Sequence, residues 1–134
     1  MSELPKEKIG DYMSSPVLSI DAEATVQEAA RLMDARGVGS LLVKKVEAYV
    51  GIITERELTR KVVGEGLPSA TLVSSVMDGS ILSRDRNQHI MQANEYMKDH
   101  GLRHLAVTEN GSIVGILSVK DFHAYYLNLL GLEE

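Results

Sequence analysis

Hydrophobic and polar residues follow two spacings along this chain, one typical of amphipathic helices and one typical of strands. Between Thr25 and Gly37, helical spacing predicts an inward face made of Val26, Ala29, Ala30, Leu32 and Met33. Thr25 and Glu28 form a capping-box pair that favours a helix start, and Gly37 suits a left-handed helix end. The first half of the chain therefore predicts a strand at 17–20, a helix at 25–37, strands at 40–43 and 49–53, and a helix after Thr54.

The same order of patterns recurs 64 residues later. When 13–63 is aligned with 77–127 without a gap, twelve of the 51 pairs are identical. Unrelated segments would share roughly three or four, so the chain contains a duplication. The second copy predicts a short helix ending at Met77, a strand at 81–83, a helix at 89–100, a hairpin of strands 103–108 and 112–117 through Asn110-Gly111, and a final helix from Ser118 to Leu130.

The duplication predicts the fold class and the domain organisation. Each copy is a β-α-β-β-α unit, an α/β fold of the α+β type with paired strands on one side and two helices on the other. Units of about sixty residues are marginal alone, so the 134 residues, 44% of them hydrophobic, predict one compact module. We place the first unit, with a helical lead-in at 5–13, at 1–68 and the second at 69–134, because Gly64 to Pro68 reads as a linker.

Composition narrows the range of partners. The net charge of −5 and the pI near 5.4 provide no basic face for nucleic acid. The absence of cysteine excludes disulfides, a thiol nucleophile and a cysteine-type zinc site. No apolar run is long enough to span a membrane, and the charged N-terminus does not resemble a signal peptide. These features predict a cytoplasmic protein with neither a nucleic-acid nor a membrane partner.

In both copies an apolar strand ends in a hydroxyl residue, and a carboxylate follows three positions later. The pairs are Thr54 with Glu57 and Ser118 with Asp121. A hydroxyl at a helix start lies beside unpaired backbone N–H groups, which suits a phosphate, and a carboxylate one turn later can accept both hydroxyls of a ribose. The alternative is that each pair is only a capping box. Because Glu is the preferred capping residue, the shorter Asp121 is the better candidate for a ligand group.

These stretches together resemble a tandem pair of CBS (cystathionine beta-synthase) domains, also called a Bateman module. The resemblance extends from about Ile9 to Leu130 and is carried by 12–17, 37–43, 51–58, 75–77 and 115–122. It implies two βαββα units packed sheet to sheet with pseudo-twofold symmetry. It also implies two clefts that bind an adenosine compound as a regulatory ligand, with AMP, ADP or ATP as first candidates and NAD or S-adenosylmethionine as others.

Carried over to this sequence, the resemblance defines an Asp121 site and a Glu57 site. Ser118 and Asp121 would hold phosphate and ribose, with Arg103 and Lys120 as cations for phosphate and backbone groups reading the adenine. The Asp121 site comprises Ser15, Pro16, Val17, Leu18, Val38, Gly39, Ser40, Arg103, Ile116, Ser118, Lys120 and Asp121. The Glu57 site comprises Thr54, Arg56, Glu57, Gly79, Ile81, Leu102 and His104. Glu57 stands where the family pattern has Asp, and its extra methylene moves the carboxylate by about 1.5 Å, so we rank the Asp121 site first.

Three functions are compared. The first is a sensor that binds an adenosine nucleotide and signals to an unidentified effector protein. The second is a ligand-free interaction or dimerisation module in which the strand-end pairs only cap helices. An enzyme ranks third, since no acid, base and nucleophile converge. Gly101 separates His100 from His104, so no metal site is expected. The final helix is apolar on more than one face, which predicts a homodimer through the helices after Thr54 and Ser118.

Overall fold

The computed structural model of the chain describes residues 6–132. A single 3-10 turn at Ile9–Asp11 precedes β1 Ser19–Asp21, α1 Val26–Arg36, β2 Ser40–Lys45, β3 Ala48–Thr54, α2 Glu55–Glu57, α3 Val73–Val76, β4 Ser83–Asp85, α4 Ile90–His100, β5 His104–Glu109, β6 Ser112–Ser118 and α5 Asp121–Leu129. The predicted β-α-β-β-α order is confirmed in both copies. Within this part of the chain, no helix is both long and apolar enough to cross a membrane.

The elements differ from the predictions mainly at their boundaries. Strands β1 and β4 begin at Ser19 and Ser83, each two residues later than predicted. The last helix begins at Asp121 instead of Ser118, after a two-residue turn. Helix α2 passes at Leu58 into a π-helix, Leu58–Val63. The spacing after Thr54 makes Leu58 and Val62 the first candidates for burial and Val63 a further one, but Val63 is 79% exposed.

Two three-stranded sheets repeat one topology. In the order β1-β2-β3, β1 runs parallel to β2, and β2 runs antiparallel to β3. The order β4-β5-β6 has the same directions. A β-bulge interrupts the register after Val43 in one sheet and after Val107 in the other, at equivalent positions. The duplication seen in the sequence therefore extends to the irregularities of the sheets.

The chain forms two compact units that are not its two sequence halves. The first unit is Leu18–Ile81, and the second combines the described residues up to Val17 with those from Leu82 onward. This grouping differs from the division at 1–68 and 69–134, because each short lead-in segment packs with the body of the other copy.

In the second unit, the N-terminal lead-in is held by backbone pairing. The Ile9 N–H donates to the Gln88 carbonyl at 2.9 Å, and Ile9 is fully buried. Ser14 forms an antiparallel bridge with Ile116 on β6, with N–O distances of 2.9 and 3.0 Å. The lead-in thus adds a short pairing beside the edge of the β4-β5-β6 sheet.

The first unit repeats these contacts with residues 64 positions apart in the sequence. Val73 and Asp78 take the places of Ile9 and Ser14, and Ala24 and Ile52 take the places of Gln88 and Ile116. The Val73 N–H donates to the Ala24 carbonyl at 2.8 Å, and Val73 is fully buried. Asp78 forms the bridge with Ile52 on β3, with both N–O distances at 2.9 Å. Because the same bonds occur twice, the exchange of lead-ins is a property of the repeat.

Two glycines make this close approach possible. A Cβ on Gly115 would lie 2.6 Å from the Met13 sulfur and 2.9 Å from the Ser14 carbonyl oxygen. A Cβ on Gly51 would lie 2.7 Å from both the Met77 sulfur and the Asp78 carbonyl oxygen. Both copies therefore keep the same glycine and the same methionine because the two residues pack against each other, Gly115 against Met13 and Gly51 against Met77.

Each unit has its own apolar core beneath the helices. In α1 the buried residues are Val26, Ala29 and Met33, whereas Ala30, predicted to face inward, is exposed. In α4 the helical spacing predicts that Tyr96 faces inward with Ile90, Ala93 and Met97, but Tyr96 is only half-buried. The Arg84 guanidinium lies 3.6 Å from the centre of its ring. The first core contains Val26, Ala29, Met33, Leu41, Val43, Ile53, Val62, Val73 and Val76; the second contains Ile9, Ile90, Ala93, Met97, Leu105, Val107, Leu117, Phe122 and Tyr125.

Candidate functional site

In the first unit, Thr54 and Glu57 form a closed capping box at the end of β3. Glu57 Oε1 accepts the Thr54 N–H at 2.8 Å and the Thr54 hydroxyl at 2.6 Å. The Thr54 hydroxyl oxygen in turn accepts the Arg56 N–H at 3.2 Å. One carboxylate oxygen therefore holds both donors of Thr54, and α2 begins at the next residue.

The equivalent pair in the second unit is looser. Asp121 Oδ2 accepts the Ser118 N–H at 2.7 Å, but the Ser118 hydroxyl is 3.4 Å away, at the limit of a hydrogen bond. Val119 and Lys120 form a turn, so Asp121 opens α5 itself and does not occupy its third position. This later helix start lets the short Asp121 side chain reach the Ser118 N–H, a bond that its length alone did not predict.

The carboxylate of Asp121 is half-buried and only partly hydrogen-bonded. Within the described part of the second unit, no hydrogen bond reaches its Oδ1 atom. Burial raises the pKa of Asp121 above its ordinary value, and the two Ser118 donors and the Lys120 charge only partly oppose that rise. The second carboxylate oxygen is therefore free to accept hydrogen bonds from a ligand that brings hydroxyl groups.

The second unit brings most of the predicted Asp121 site together around the end of β6. Ser15, Pro16 and Val17 directly follow Ser14, which forms an antiparallel bridge with Ile116 on this strand, and the Val119 N–H donates to the Arg103 carbonyl at 3.1 Å. Ser15, Pro16, Arg103 and Lys120 are exposed, whereas Val17, Ile116, Ser118 and Asp121 are half-buried. The second unit also carries Leu102 and His104 of the predicted Glu57 site, just before and at the start of β5.

The first unit brings together most of the predicted Glu57 site. The Glu55 N–H donates to the Gly39 carbonyl at 3.0 Å, and Ser40 pairs in register with Thr54. Gly79 and Ile81 follow Asp78, which forms an antiparallel bridge with Ile52 on β3. The remaining Asp121-site residues lie in this unit: Leu18, Val38, Gly39 and Ser40. Ser40 is the buried one of these, with 6% exposure. Each predicted site thus draws on both units, and its assembly stays a prediction.

The lead-in contacts were missed by the sequence reasoning. Met13 and Ser14 belong to the environment of β6, although local spacing assigns them to the first copy. The available signal was the joint identity of Met13 with Met77 and of Gly51 with Gly115. A large and a small residue that recur together at fixed positions in both copies indicate a contact between them.

The histidines have structural partners. His89 Nδ1 accepts the Met91 N–H at 3.0 Å and caps α4, and His89 Nε2 lies 3.5 Å from Glu7. His100 Nδ1 lies 2.8 Å from the Tyr96 carbonyl oxygen. Gly101, in the left-handed conformation, ends α4 between His100 and His104. Between residues 6 and 132, no three His, Cys, Asp or Glu side chains are placed to hold a metal ion.

Comparison with known proteins gives a consistent result. The family model of the CBS domain matches residues 9–64 and 73–128. The CBS domain-containing protein YhcV of Bacillus subtilis is 29% identical over 113 residues, which cover 84% of this chain and 81% of that protein.

Solved structures extend this result to the fold. A conserved protein from Pyrococcus horikoshii is 30% identical, has a TM-score of 0.85 and is matched over 92% of this chain and 95% of its own. The CBS domain protein PAE2072 from Pyrobaculum aerophilum, whose structure is complexed with AMP, has a TM-score of 0.80 at 24% identity, covering 92% of this chain and 98% of its own.

Proposed function

The chain belongs to the CBS domain family and carries the tandem pair that forms a regulatory module, and from this premise we propose that it senses an adenosine nucleotide. The end of β6 in the second unit would bind the ribose-phosphate part of the ligand. AMP, ADP and ATP are the first candidates, followed by NAD and S-adenosylmethionine. The observation that carries the proposal is the half-buried Asp121 carboxylate, whose Oδ1 has no donor within the described part of its unit.

The geometry supports a separate binding role for each side chain at this strand end. A carboxylate oxygen can accept two hydrogen bonds, so Asp121 Oδ2 can keep the Ser118 N–H while both oxygens receive the two hydroxyls of a ribose. The weakly held Ser118 hydroxyl can turn towards a phosphate. The exposed Lys120 and Arg103 side chains lie at the same strand end and supply positive charge for that phosphate.

The AMP complex of the Pyrobaculum aerophilum protein supports the choice of ligand class, since that protein shares this fold. Signalling then requires that the ligand bind one arrangement of the protein better than another, because a ligand with equal affinity for two states shifts neither. We propose that the receiver is a separate effector protein and that the module is cytoplasmic and regulatory instead of catalytic.

A second copy of the chain is the other partner that we propose. Helix α5 buries Phe122 and Tyr125 but exposes Tyr126, and Leu130 just beyond its end is exposed as well. Exposed large apolar residues on one helix indicate an interface more often than a solvated surface. The homodimer would use the helices that follow Thr54 and Ser118.

A ligand-free interaction module is the second candidate function, and one observation favours it. Both carboxylates already accept the N–H of the residue three positions earlier, as helix caps do. Under this alternative the strand-end pairs stabilise the helices, and self-association is the whole function.

Thermal unfolding with and without nucleotide separates the two candidates. If the sensor proposal is correct, a nucleotide at about 100 times its Kd adds about 2.7 kcal/mol to the free energy of unfolding. This stabilisation raises Tm by several degrees. The ligands to compare are AMP, ADP, ATP, NAD and S-adenosylmethionine, each without metal and at one pH. A Tm unchanged by all five would favour the ligand-free module.

Matched amide variants assign the ligand to Asp121. Asp121→Asn keeps one oxygen for the Ser118 N–H but cannot accept both ribose hydroxyls, and we expect it to weaken nucleotide binding roughly 10- to 100-fold. Glu57→Gln makes the same chemical change at the equivalent position and should retain most of the Tm shift. Equal losses in both variants, or a loss only in Glu57→Gln, would contradict the assignment to Asp121.

A further inference from the structure

Methionine is the only sulfur-containing residue type in this chain, which has six methionines and no cysteine. Oxidation at sulfur is therefore confined to thioethers. The five methionines between residues 6 and 132 fall into two classes. Met33 and Met97 are buried in the two cores, at 4% and 2% exposure. Met13, Met77 and Met91 are half-buried, so part of each residue is open to solvent.

Met13 and Met77 share a further feature, which is their contact with a glycine of the sheet. The Met13 sulfur lies 2.6 Å from the place that a Cβ on Gly115 would take, and the Met77 sulfur lies 2.7 Å from the equivalent place on Gly51. Each methionine also packs against the apolar core of its own unit. Each sulfur therefore fills the space of a missing side chain where a lead-in meets its sheet.

Peroxide converts such a thioether into a sulfoxide. The sulfur lone pair attacks one oxygen of hydrogen peroxide, the O–O bond breaks, and the sulfur loses two electrons. The proton on the transferred oxygen passes to the departing hydroxide, which leaves as water. An apolar side chain thereby becomes a polar one that carries a strong hydrogen-bond acceptor.

The new oxygen would find the neighbouring strand groups already paired. The Ile116 N–H, next to Gly115, donates to the Ser14 carbonyl at 3.0 Å, and the Ile52 N–H donates to the Asp78 carbonyl at 2.9 Å. A polar atom buried without a hydrogen-bond donor is unfavourable. The sulfoxide is therefore more stable in water than against the glycine, and it can reach water only if the lead-in moves.

We propose that Met13 and Met77 are sites of peroxide modification and that their sulfoxides release the lead-ins from β6 and β3. The thioether form fits against the glycine and leaves the Ser14 and Asp78 bridges intact. The sulfoxide form turns to solvent, and the bridge beside it opens. Two thiols reverse the change: the oxygen leaves as water, the sulfur regains two electrons and the thiols become a disulfide.

Release at Met13 also affects the proposed nucleotide site. Residues 15–17 belong to the predicted Asp121 site and directly follow Ser14, which is paired with Ile116. Opening of that bridge removes the backbone anchor next to these residues, so oxidation at Met13 should weaken nucleotide binding. This consequence rests on the sensor proposal, whereas the release of the lead-in does not.

Peptide mapping by mass spectrometry tests the sites in the full chain. Each sulfoxide adds about 16 Da, and oxidation follows exposure of the sulfur. With graded hydrogen peroxide, Met13 and Met77 should gain oxygen at least about tenfold faster than Met33 and Met97. Equal rates at the buried and the half-buried positions would overturn the proposal.

Amide hydrogen exchange tests the release itself. The N–H groups of Ser14 and Ile116 bond across one junction, and those of Asp78 and Ile52 bond across the other. We expect these four amides to exchange at least about tenfold faster after oxidation, while the amides of the inner strands β2 and β5 keep their rates. Treatment with the methionine sulfoxide reductases MsrA and MsrB and a dithiol should restore the slow exchange. Unchanged exchange in fully oxidised protein, or equal acceleration everywhere, would overturn the proposal.

Leucine variants with a matched control assign the effect to the two junctions. The double variant Met13→Leu with Met77→Leu keeps a similar side-chain volume and cannot be oxidised there. Peroxide should lower the Tm of the wild type by about 5 °C and leave that of the double variant unchanged. Met91→Leu removes a half-buried sulfur that lies 4.0 Å from the Tyr126 hydroxyl, and this variant should respond as the wild type does.

An equal loss of Tm in the double variant and the wild type would overturn the assignment. Reversal of the wild-type exchange by the reductases decides the question even if the double variant does not fold.

Titration calorimetry with AMP and with ATP separates this proposal from the sensor proposal. Oxidation should raise the Kd of the wild type about tenfold and leave that of Met13→Leu unchanged. Equal Kd values for oxidised and reduced wild type would exclude the connection between Met13 and the nucleotide site. If the reduced protein binds neither nucleotide, the sensor proposal fails, and amide exchange still decides whether the lead-ins are released.

Discussion

The two strand ends of this protein occupy equivalent positions and use the same kinds of residue, yet they are held differently. Glu57 takes both donors of Thr54 on one oxygen, and its helix begins at once. Asp121 holds the Ser118 N–H but barely reaches the hydroxyl, and its helix begins three residues later. One methylene therefore separates a carboxylate that holds both donors of its strand end closely from one that holds only the backbone N–H closely. The comparison teaches that two copies of a motif can keep the same bond from the carboxylate to the backbone while differing in how closely the hydroxyl is held.

The largest expected effect on stability comes from a contact that both copies share, the close approach of the lead-in to a glycine of the sheet. Gly51→Ala and Gly115→Ala each place a Cβ within 3 Å of a lead-in carbonyl and a methionine sulfur. We expect each substitution to lower the free energy of unfolding by about 2–3 kcal/mol, as overpacking does. Urea unfolding measures the stability of both variants. Gly37→Ala is the control: Gly37 is in the left-handed conformation with open space around it, so this variant has backbone strain but no steric clash. A loss below about 1 kcal/mol in either variant would show that the lead-in is not held there.

The next largest effect concerns how much each strand-end carboxylate contributes to stability. Glu57→Ala removes the acceptor for two donors and should cost about 1–2 kcal/mol of stability. Asp121→Ala should cost less, because removing a partly buried carboxylate also removes its desolvation penalty. Urea unfolding at neutral pH without nucleotide compares the pair directly. Equal costs would mean that Asp121 contributes to helix capping as much as Glu57 does.

A smaller effect is expected at the hairpin turns, where the copies also differ. Val46 has a φ of 57°, which is unfavourable for a β-branched residue, and Asn110 adopts a φ of 52° at the equivalent position. Val46→Asn should stabilise the protein by about 0.5–1 kcal/mol, and Asn110→Val should have the opposite sign. Thermal or urea unfolding of both variants checks the reciprocal pattern. A destabilised Val46→Asn protein would indicate that the exposed valine side chain makes a contact of its own.

The smallest effect is a pH dependence specific to Asp121. Because burial raises the pKa of Asp121 in the folded protein, the folded state favours its protonated form. Its contribution to stability is present below the ordinary value of 3.8 and is lost as the pH rises through the raised pKa. The stability of the wild type relative to Asp121→Asn, measured by urea unfolding, should therefore fall as the pH rises above 3.8. A stability difference that rises as the pH rises above 3.8 would contradict the direction of the shift.

Local chemistry made part of the fold predictable. Gly37 and Gly101 end α1 and α4 in the left-handed conformation, both at a φ of 64°, as their positions after amphipathic helices predicted. Thr25 caps α1 through the Glu28 N–H, and Asn110-Gly111 forms the turn of the β5–β6 hairpin. These features depend on a few neighbouring residues, so the sequence specifies them directly.

The remaining features depend on contacts between distant segments. Periodicity cannot tell which sheet a lead-in joins, so Ser14 was assigned to the copy that follows it. At the end of the π-helix Leu58–Val63, the Gly64 N–H donates to the Thr59 carbonyl. A Cβ on Gly64 would lie only 2.7 Å from the Arg60 carbonyl oxygen. For Asp121, capping and ligand binding need the same atoms, so the pattern alone could not separate the two roles.

The exchange of lead-ins also constrains how this protein could have arisen. A single ancestral repeat would have left its sheet edge and the pocket for Ile9 or Val73 unfilled, unless a neighbouring chain donated the missing arm. Two identical short chains that swapped these arms, joined by gene duplication and fusion, would leave the arrangement that this chain has. Cutting the present chain between residues 68 and 69 would return it to that condition. The two fragments should fold poorly when expressed apart and regain structure when mixed.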